Sequence, residues 1–485
     1  MEFLFENASF QWRGKNVINN LTAFLQNESY FITGEIGSGK SMLLQAIGLK
    51  LSLTSGKREI TEQGKLLSIS DYHEKVHLIN SSSDLSLTDH TNYYQQRYHS
   101  GMGEGITLWN YLQQHGFKKE EESHDNLIKR SRLEGCLDHY IFTLSNGQRK
   151  KMIFLSALLE QPKLLLLDNP FVGLDEDSRQ DLHHWLTYLH HDLGIQQFIT
   201  CRENEVPDFI HHEIILNKGA IEYIGQRKAN ADSPASDNSN LLPEIVKVWL
   251  QRRSTRRFDS ILDMQNINVT YSGKTILHDL CWTVKQGERI ALLGKNGSGK
   301  STLLSLIYAD NPLAYANHVS IFGHQRGTGE SIWSIKKHMG FISPELHLYT
   351  KSNQTVEHIV CEGFFDNYSP HHTISAGDTQ WIVLLLHYIG LEDKKGQPFS
   401  LLSFGQQRLV LFIRALAQVP ELLLLDEPFQ GLDWKEVEKC NRLLNAILRA
   451  SDTSLIFITH CKEEIPETVD SYAYLTDGKI AISRK

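Results

Sequence analysis

Gly34-Glu35-Ile36-Gly37-Ser38-Gly39-Lys40-Ser41 and Gly294-Lys295-Asn296-Gly297-Ser298-Gly299-Lys300-Ser301 are two copies of one pattern. Each follows a short apolar run, Tyr30-Phe31-Ile32-Thr33 in the first and Arg289-Ile290-Ala291-Leu292-Leu293 in the second, and each leads into a helical stretch. A buried strand that turns through glycines into a helix is a phosphate cradle. The glycines let successive backbone N–H groups close around phosphate oxygens at the helix N-terminus. Lys40 and Lys300 add positive charge for β- and γ-phosphates, and the Ser41 and Ser301 hydroxyls suit Mg2+. The plainer reading of such a match is a tight strand–helix turn, and two strand-preceded copies argue against it.

Working outward, two more motifs recur. Leu144-Ser145-Asn146-Gly147-Gln148 returns as Leu402-Ser403-Phe404-Gly405-Gln406, and the run Leu164–Leu167 followed by Asp168 returns as Leu422–Leu425 followed by Asp426. Lys40 to Ser145 is 105 positions and Lys300 to Ser403 is 103, while Ser145 to Asp168 and Ser403 to Asp426 are both 23. Order and spacing kept twice mark an internal repeat. Short apolar runs bounded by glycine and followed by helices predict an α/β fold with buried parallel strands. The expected domains are residues 1–228 and 259–485, each with a helical segment, at about 107–143 and 355–400. Between them lies a linker at 229–258, since Ala229–Asn240 is rich in Ala, Asn, Asp and Ser. Within it Pro243 opens a predicted short helix. The following Arg252, Arg253, Arg256 and Arg257 read as a solvated domain edge. A flexible stretch of about 16 residues spans roughly 20–24 Å, enough for the two copies to face each other.

Asp168 and Asp426, at the ends of Leu-rich strands and at matched distance from a cradle, are candidate metal residues acting through water. Glu427 follows Asp426 and can orient or activate an attacking water. Its counterpart Asn169 cannot accept a proton.

Composition excludes several classes. The formal charge is −8 and the pI about 6.3, which argues against a general nucleic-acid coat, and no nucleic-acid partner is expected. At 41% apolar and 22% charged residues the chain is not mainly disordered. No apolar run approaches the about 18–20 residues of a spanning helix, and Met1–Glu6 shows no signal-peptide pattern. The six cysteines form no C-x-x-C pair, so neither a zinc site nor a disulfide framework is expected. His183-His184 and His190-His191 read as a solvated helix face rather than metal ligands, and Cys201 as a packing residue.

These motifs resemble those of the ATP-binding-cassette (ABC) ATPases, over nearly the whole chain. The resemblance implies two tandem ABC-type nucleotide-binding domains, each with a helical subdomain, that bind ATP with Mg2+ and hydrolyse it. By that resemblance Ser145, Gly147, Ser403 and Gly405 belong to signature loops that contact ATP. Gly173-Leu174-Asp175 and Gly431-Leu432-Asp433 look like D-loops. Trp12 and Tyr271 stand where the family stacks an aromatic ring on adenine. His460 looks like the switch histidine, and aligning Ile199-Thr200-Cys201-Arg202 with Ile458-Thr459-His460-Cys461 sets Cys201 in its place in the first copy. Glu427 and His460 are then the catalytic pair. The cassettes are expected to pair head-to-tail within the chain, one copy's cradle with the other's signature, so that hydrolysis falls mainly on the second copy's cradle.

A finer resemblance is to tandem ABC proteins associated with molybdate transport, carried chiefly by Ile321–His338. It implies an energising subunit for transmembrane permease subunits, cytoplasmic or peripheral on the inner face of the inner membrane. The Q-loop glutamine, which couples the family to such partners, is missing: the second copy reads Gly340-Phe341-Ile342-Ser343-Pro344-Glu345 and the first Ile69-Ser70-Asp71-Tyr72-His73. The alternative is a soluble regulatory or translation-type ABC ATPase uncoupled from transport. The short linker, with no long charged helical arm, ranks that lower.

Overall fold

The computed structural model describes residues 1–12, 14–80, 106–118, 122–141, 144, 146–227, 238–253, 256–271, 274–350, 353–364 and 374–484. The chain forms two compact units, Met1–Asp232 and Ser233–Lys485.

The first unit holds two sheets. The strands Glu2–Trp12, Lys15–Leu25, Ser52–Glu62 and Lys65–Leu66 form a four-stranded antiparallel sheet. Phe3, Phe5, Ala8 and Phe10 are fully buried; the shift from odd to even positions coincides with a register irregularity between Phe5 and Ala8, which keeps the apolar side facing the core. The second sheet has six strands. Four neighbours are parallel in the order His212–Asn217, Tyr30–Gly34, Gln196–Thr200, Leu164–Asp168, with Val76–Asn80 parallel beyond them and Ala220–Gln226 antiparallel at the other edge. Leu164 to Leu167 are all 0% exposed, the continuous burial of a parallel strand covered on both faces. One face packs on the helix Lys40–Ile47 and the antiparallel sheet. The other packs on the helices Leu108–Gln114, Asn146–Leu159 and Glu176–His191.

The second unit repeats this plan, with a four-stranded antiparallel sheet from Leu262–Tyr271 to His324–Gln325 and a six-stranded sheet around Arg289–Leu293. Its helical segment comprises Val356–Cys361, Ala376–Tyr388 and Phe404–Ala417.

Part of the stretch expected as linker belongs to this unit. The helix Leu242–Arg252, with proline in its first turn, buries Trp249 completely, edge-on to Trp381. Two of its arginines are not a solvated edge: Arg252 pairs with Asp378 and Arg253 with Asp452. The seam residues 228–237 lie outside the described residues. The paired histidines differ from expectation as well. His183 stacks on Phe171 at 4.5 Å and His190 on Phe209 at 4.3 Å, so one of each pair packs inward.

Candidate functional site

In both units the glycine-rich loop leaves the strand through a position that only glycine fits. A Cβ on Gly34 would lie 2.2 Å from the Leu216 carbonyl oxygen and 2.7 Å from Ser38 Oγ, and one on Gly294 would lie 2.6 Å from Leu475 O and 2.7 Å from Ser298 Oγ. Gly39 and Gly299, at φ 105° and 103°, cap the helices Lys40–Ile47 and Lys300–Ile307 in the left-handed region, which glycine enters without a steric penalty. The Lys40 ammonium donates to the carbonyls of Gly34 and Glu35, and Lys300 repeats this on Gly294 and Lys295. Each cation therefore sits in the hollow of its own loop. Ser38 Oγ and Ser298 Oγ are buried without a hydrogen-bond partner, which suits a loop shaped to receive additional acceptors. The loops Glu35-Ile36-Gly37 and Lys295-Asn296-Gly297 lie between these fixed points, and Ser41 and Ser301 occupy the first turn of their helices.

The strands Leu164–Asp168 and Leu422–Asp426, next but one to the cradle strands, carry Asp168 and Asp426 at the same end of their sheets as the cradles. Asp168 Oδ1 accepts the Thr200 hydroxyl at 2.7 Å and the Asn169 side-chain amide at 3.0 Å. In the second unit Glu427 presents an oxygen, Oε1, that takes no hydrogen bond and lies 3.5 Å from His460 Nε2. Burial, then the nearby Glu464 and Asp426 carboxylates, push the Glu427 carboxyl up to about 8 against the opposing pull of Lys300 and Arg408.

Register shows how the first unit departs from the second around the histidine. Asp168 pairs with Thr200 and Asp426 with Ile458; Tyr30 pairs with Phe198 and Ile290 with Ile456. Thr200 is thus the counterpart of Ile458. The short helical turns that follow, Glu203–Glu205 and Lys462–Glu464, end on the equivalent buried residues Glu205 and Glu464. The first unit is one residue shorter between strand and turn. Setting Cys201 against His460 therefore holds only when counted back from the turn. Counted forward from the strand, Cys201 stands against Thr459. Its thiol packs against the core on the helical side of the sheet, and burial pushes it well up.

The second signature is well formed. Ser403 caps the helix Phe404–Ala417 in a reciprocal pair with Gln406, and Gly405 is buried. Phe404 stacks on His347 at 4.6 Å and covers Gly431, where a Cβ would lie 2.6 Å from the ring. In the first unit Ser145 lies outside the described residues; Gly147 is buried with Ser178 Oγ 2.7 Å from where its Cβ would be. Trp12 and Tyr271 close corresponding strands of the antiparallel sheets. The Tyr271 hydroxyl accepts from Asn311 at 2.9 Å, which anchors that ring on the protein.

Sequence reasoning passed over three positions. Arg408, 0% exposed, donates to the carbonyls of Ser343, Asp426, Glu427 and Pro428. Its counterpart Lys150 donates to Pro170 O. Burial brings the Arg408 guanidinium down to about 10 against the pull of Asp426, Glu427 and Glu464. The other two are a threonine and a glutamate five apart, Thr200 and Glu205 in one copy, Thr459 and Glu464 in the other; their recurrence was the available signal.

Two cradles, two carboxylate-ended strands and two signature helices define tandem nucleotide-binding cassettes. The ABC transporter family pattern matches residues 19–172 and 277–430, and the chain belongs to that family as a tandem ABC ATPase that binds and hydrolyses ATP. It is 32% identical over 454 residues to the ABC transporter ATP-binding protein ModF of Escherichia coli (strain K12), covering 91% of this chain and 90% of that one. It is 31% identical over 492 residues to an uncharacterized ABC transporter ATP-binding protein of Schizosaccharomyces pombe, covering 99% and 96%. Among solved structures, one of ribosome-bound archaeal Pelota and ABCE1 aligns with a TM-score of 0.63 at 16% identity, over 98% of this chain and 78% of that one; this likeness is one of fold.

Proposed function

We propose that the two cassettes pair head-to-tail within the chain and that nearly all turnover comes from the cradle of the second unit. The observation that carries this is the contrast at one position. Glu427 offers a carboxyl oxygen that takes no hydrogen bond and faces an imidazole, whereas Asn169 offers an amide already bound to Asp168. In the second unit the loop amides and Lys300 hold the phosphates, Glu427 takes the proton of the attacking water, and His460 orients that water and the terminal phosphate. The unpartnered serine hydroxyls and the glycine-only approaches of both loops fit a bound polyphosphate. Ser41 with Asp168, and Ser301 with Asp426, would hold Mg2+. A hydroxyl and a carboxylate are the kind of oxygen donors that would suit that ion. Bound there, Mg2+ would neutralise developing phosphate charge. The first unit would bind ATP with little turnover. Steady-state ATPase assays of Glu427→Gln and Lys300→Ala test the assignment; activity retained in both would refute it.

The broader reading is an energising subunit associated with a membrane transporter, molybdate-related by likeness to ModF. No helix among the described residues is long and apolar enough to cross a membrane; this role would engage transmembrane permease subunits. Co-purification with inner membranes would support it. Co-purification with ribosomes would instead favour a soluble translation-type ATPase.

A further inference from the structure

His460 is bracketed by hydrogen bonds that converge on one buried carboxylate. Glu464 is 2% exposed. Its Oε2 accepts the Thr459 hydroxyl, Thr459 Oγ1 accepts the Cys461 amide at 3.1 Å, and the Glu464 amide donates to the Cys461 carbonyl at 3.2 Å. The residues on both sides of His460 are thus tied to the same point, and the imidazole between them lies 3.5 Å from Glu427 Oε1. The first unit serves as an internal comparison. Glu205 is also buried, at 6%, yet it accepts the Arg202 amide at 3.2 Å and lies 3.4 Å from Arg179 Nε. Thr200 gives its hydroxyl to Asp168 instead. The same threonine and glutamate are kept five residues apart in both units, but they are joined only where a histidine stands between them.

We propose that Glu464, acting through Thr459, is a positioning residue that holds His460 toward Glu427. This rests on the reading of Glu427 and His460 as the hydrolytic pair. A buried carboxylate needs compensating donors, and here the donor it takes is the one that fixes the switch loop. Displacing a reacting group by about 1 Å can cost up to about 10²-fold in rate, so loss of this tether is read in kcat and not in ATP affinity.

The test uses the full chain and near-isosteric variants. Thr459→Val should lower kcat about tenfold or more, with KM and ATP stoichiometry unchanged. Thr459→Ser, which keeps the hydroxyl, should recover most of that loss. Glu464→Leu should match Thr459→Val, and the double variant should be no slower than either single one. In a His460→Ala background, Thr459→Val should have no further effect. A wild-type kcat for Thr459→Val, or an equal slowing with and without His460, would overturn the proposal. If Glu427→Gln and His460→Ala themselves keep the wild-type rate, the reading of the site fails instead. Should Glu464→Leu not fold, Thr459→Val still decides the matter.

Discussion

Asn169 and Glu427 occupy the same backbone position in their two units. Both are in the left-handed region, at φ 52° and 49°, and the amide of each donates to the strand residue opposite, Thr200 O at 2.9 Å and Ile458 O at 2.8 Å. A non-glycine residue at positive φ is uncommon, so the chain holds this turn twice and changes only the side chain it carries. At this position, therefore, the two sites differ in chemistry and not in backbone.

Glu427→Gln should remove almost all ATPase activity and leave ATP bound, because a positioned general base contributes roughly 10²–10⁴ in rate. Asn169→Ala should change the rate little. Retention of about a third or more of the wild-type rate by Glu427→Gln would place hydrolysis elsewhere.

Asn169→Glu should not rescue Glu427→Gln. The first unit is one residue short where His460 stands, and the Thr200 hydroxyl is committed to Asp168. The double variant should recover less than about a tenth of the wild-type rate, since a base without its orienting partner loses most of its effect. Single-turnover ATP cleavage is the measurement.

Lys40→Ala and Lys300→Ala should each lower bound ATP from about two to about one per chain, since each removes a charge-assisted phosphate contact. Equilibrium binding of a labelled ATP analogue reads this directly.

Arg408→Lys should destabilise the protein by about 3 kcal/mol, because an ammonium cannot serve all the carbonyls that Arg408 joins and each orphaned one costs about 1–3 kcal/mol. The urea midpoint should fall. The kcat should fall with it, since the Glu427 carbonyl is among those released.

Burial, with Arg408 adding to it, lowers the His347 pKa to about 4, while the Gln407 contact raises it. The unfolded chain binds this proton near pH 6.5 and the folded one near 4, so stability is full above about 6.5 and falls as pH drops toward 4, by at most about 3 kcal/mol. Replacing His347 with Gln should flatten that part of the curve. Denaturation midpoints at pH 7 and pH 5 test the sign.

Much of the fold was legible. Each cradle is a contiguous run whose glycines answer a local steric demand, as Gly34 and Gly294 show, and the Leu-rich strands are buried along their whole length because both faces are covered. Arg408 was not legible, because its partners are backbone carbonyls that no spacing rule identifies; the Thr459–Glu464 spacing recurs as Thr200 and Glu205, but which of the two pairs is joined by a hydrogen bond is not written in it.

The sequence by itself determined that there are two copies, where each cradle lies, and that one copy carries a carboxylate where the other carries an amide. These are matters of residue type at fixed local spacing. Only the tertiary structure decided which residue stands opposite Asp168, that the first unit is one residue short at the switch, and that Glu464 is joined to Thr459. Parallel strands pair residues some thirty positions apart, as Asp426 with Ile458, and a shift of one residue changes the side chain that faces the site. Nothing local to the strand records that choice. It is made when the sheet closes.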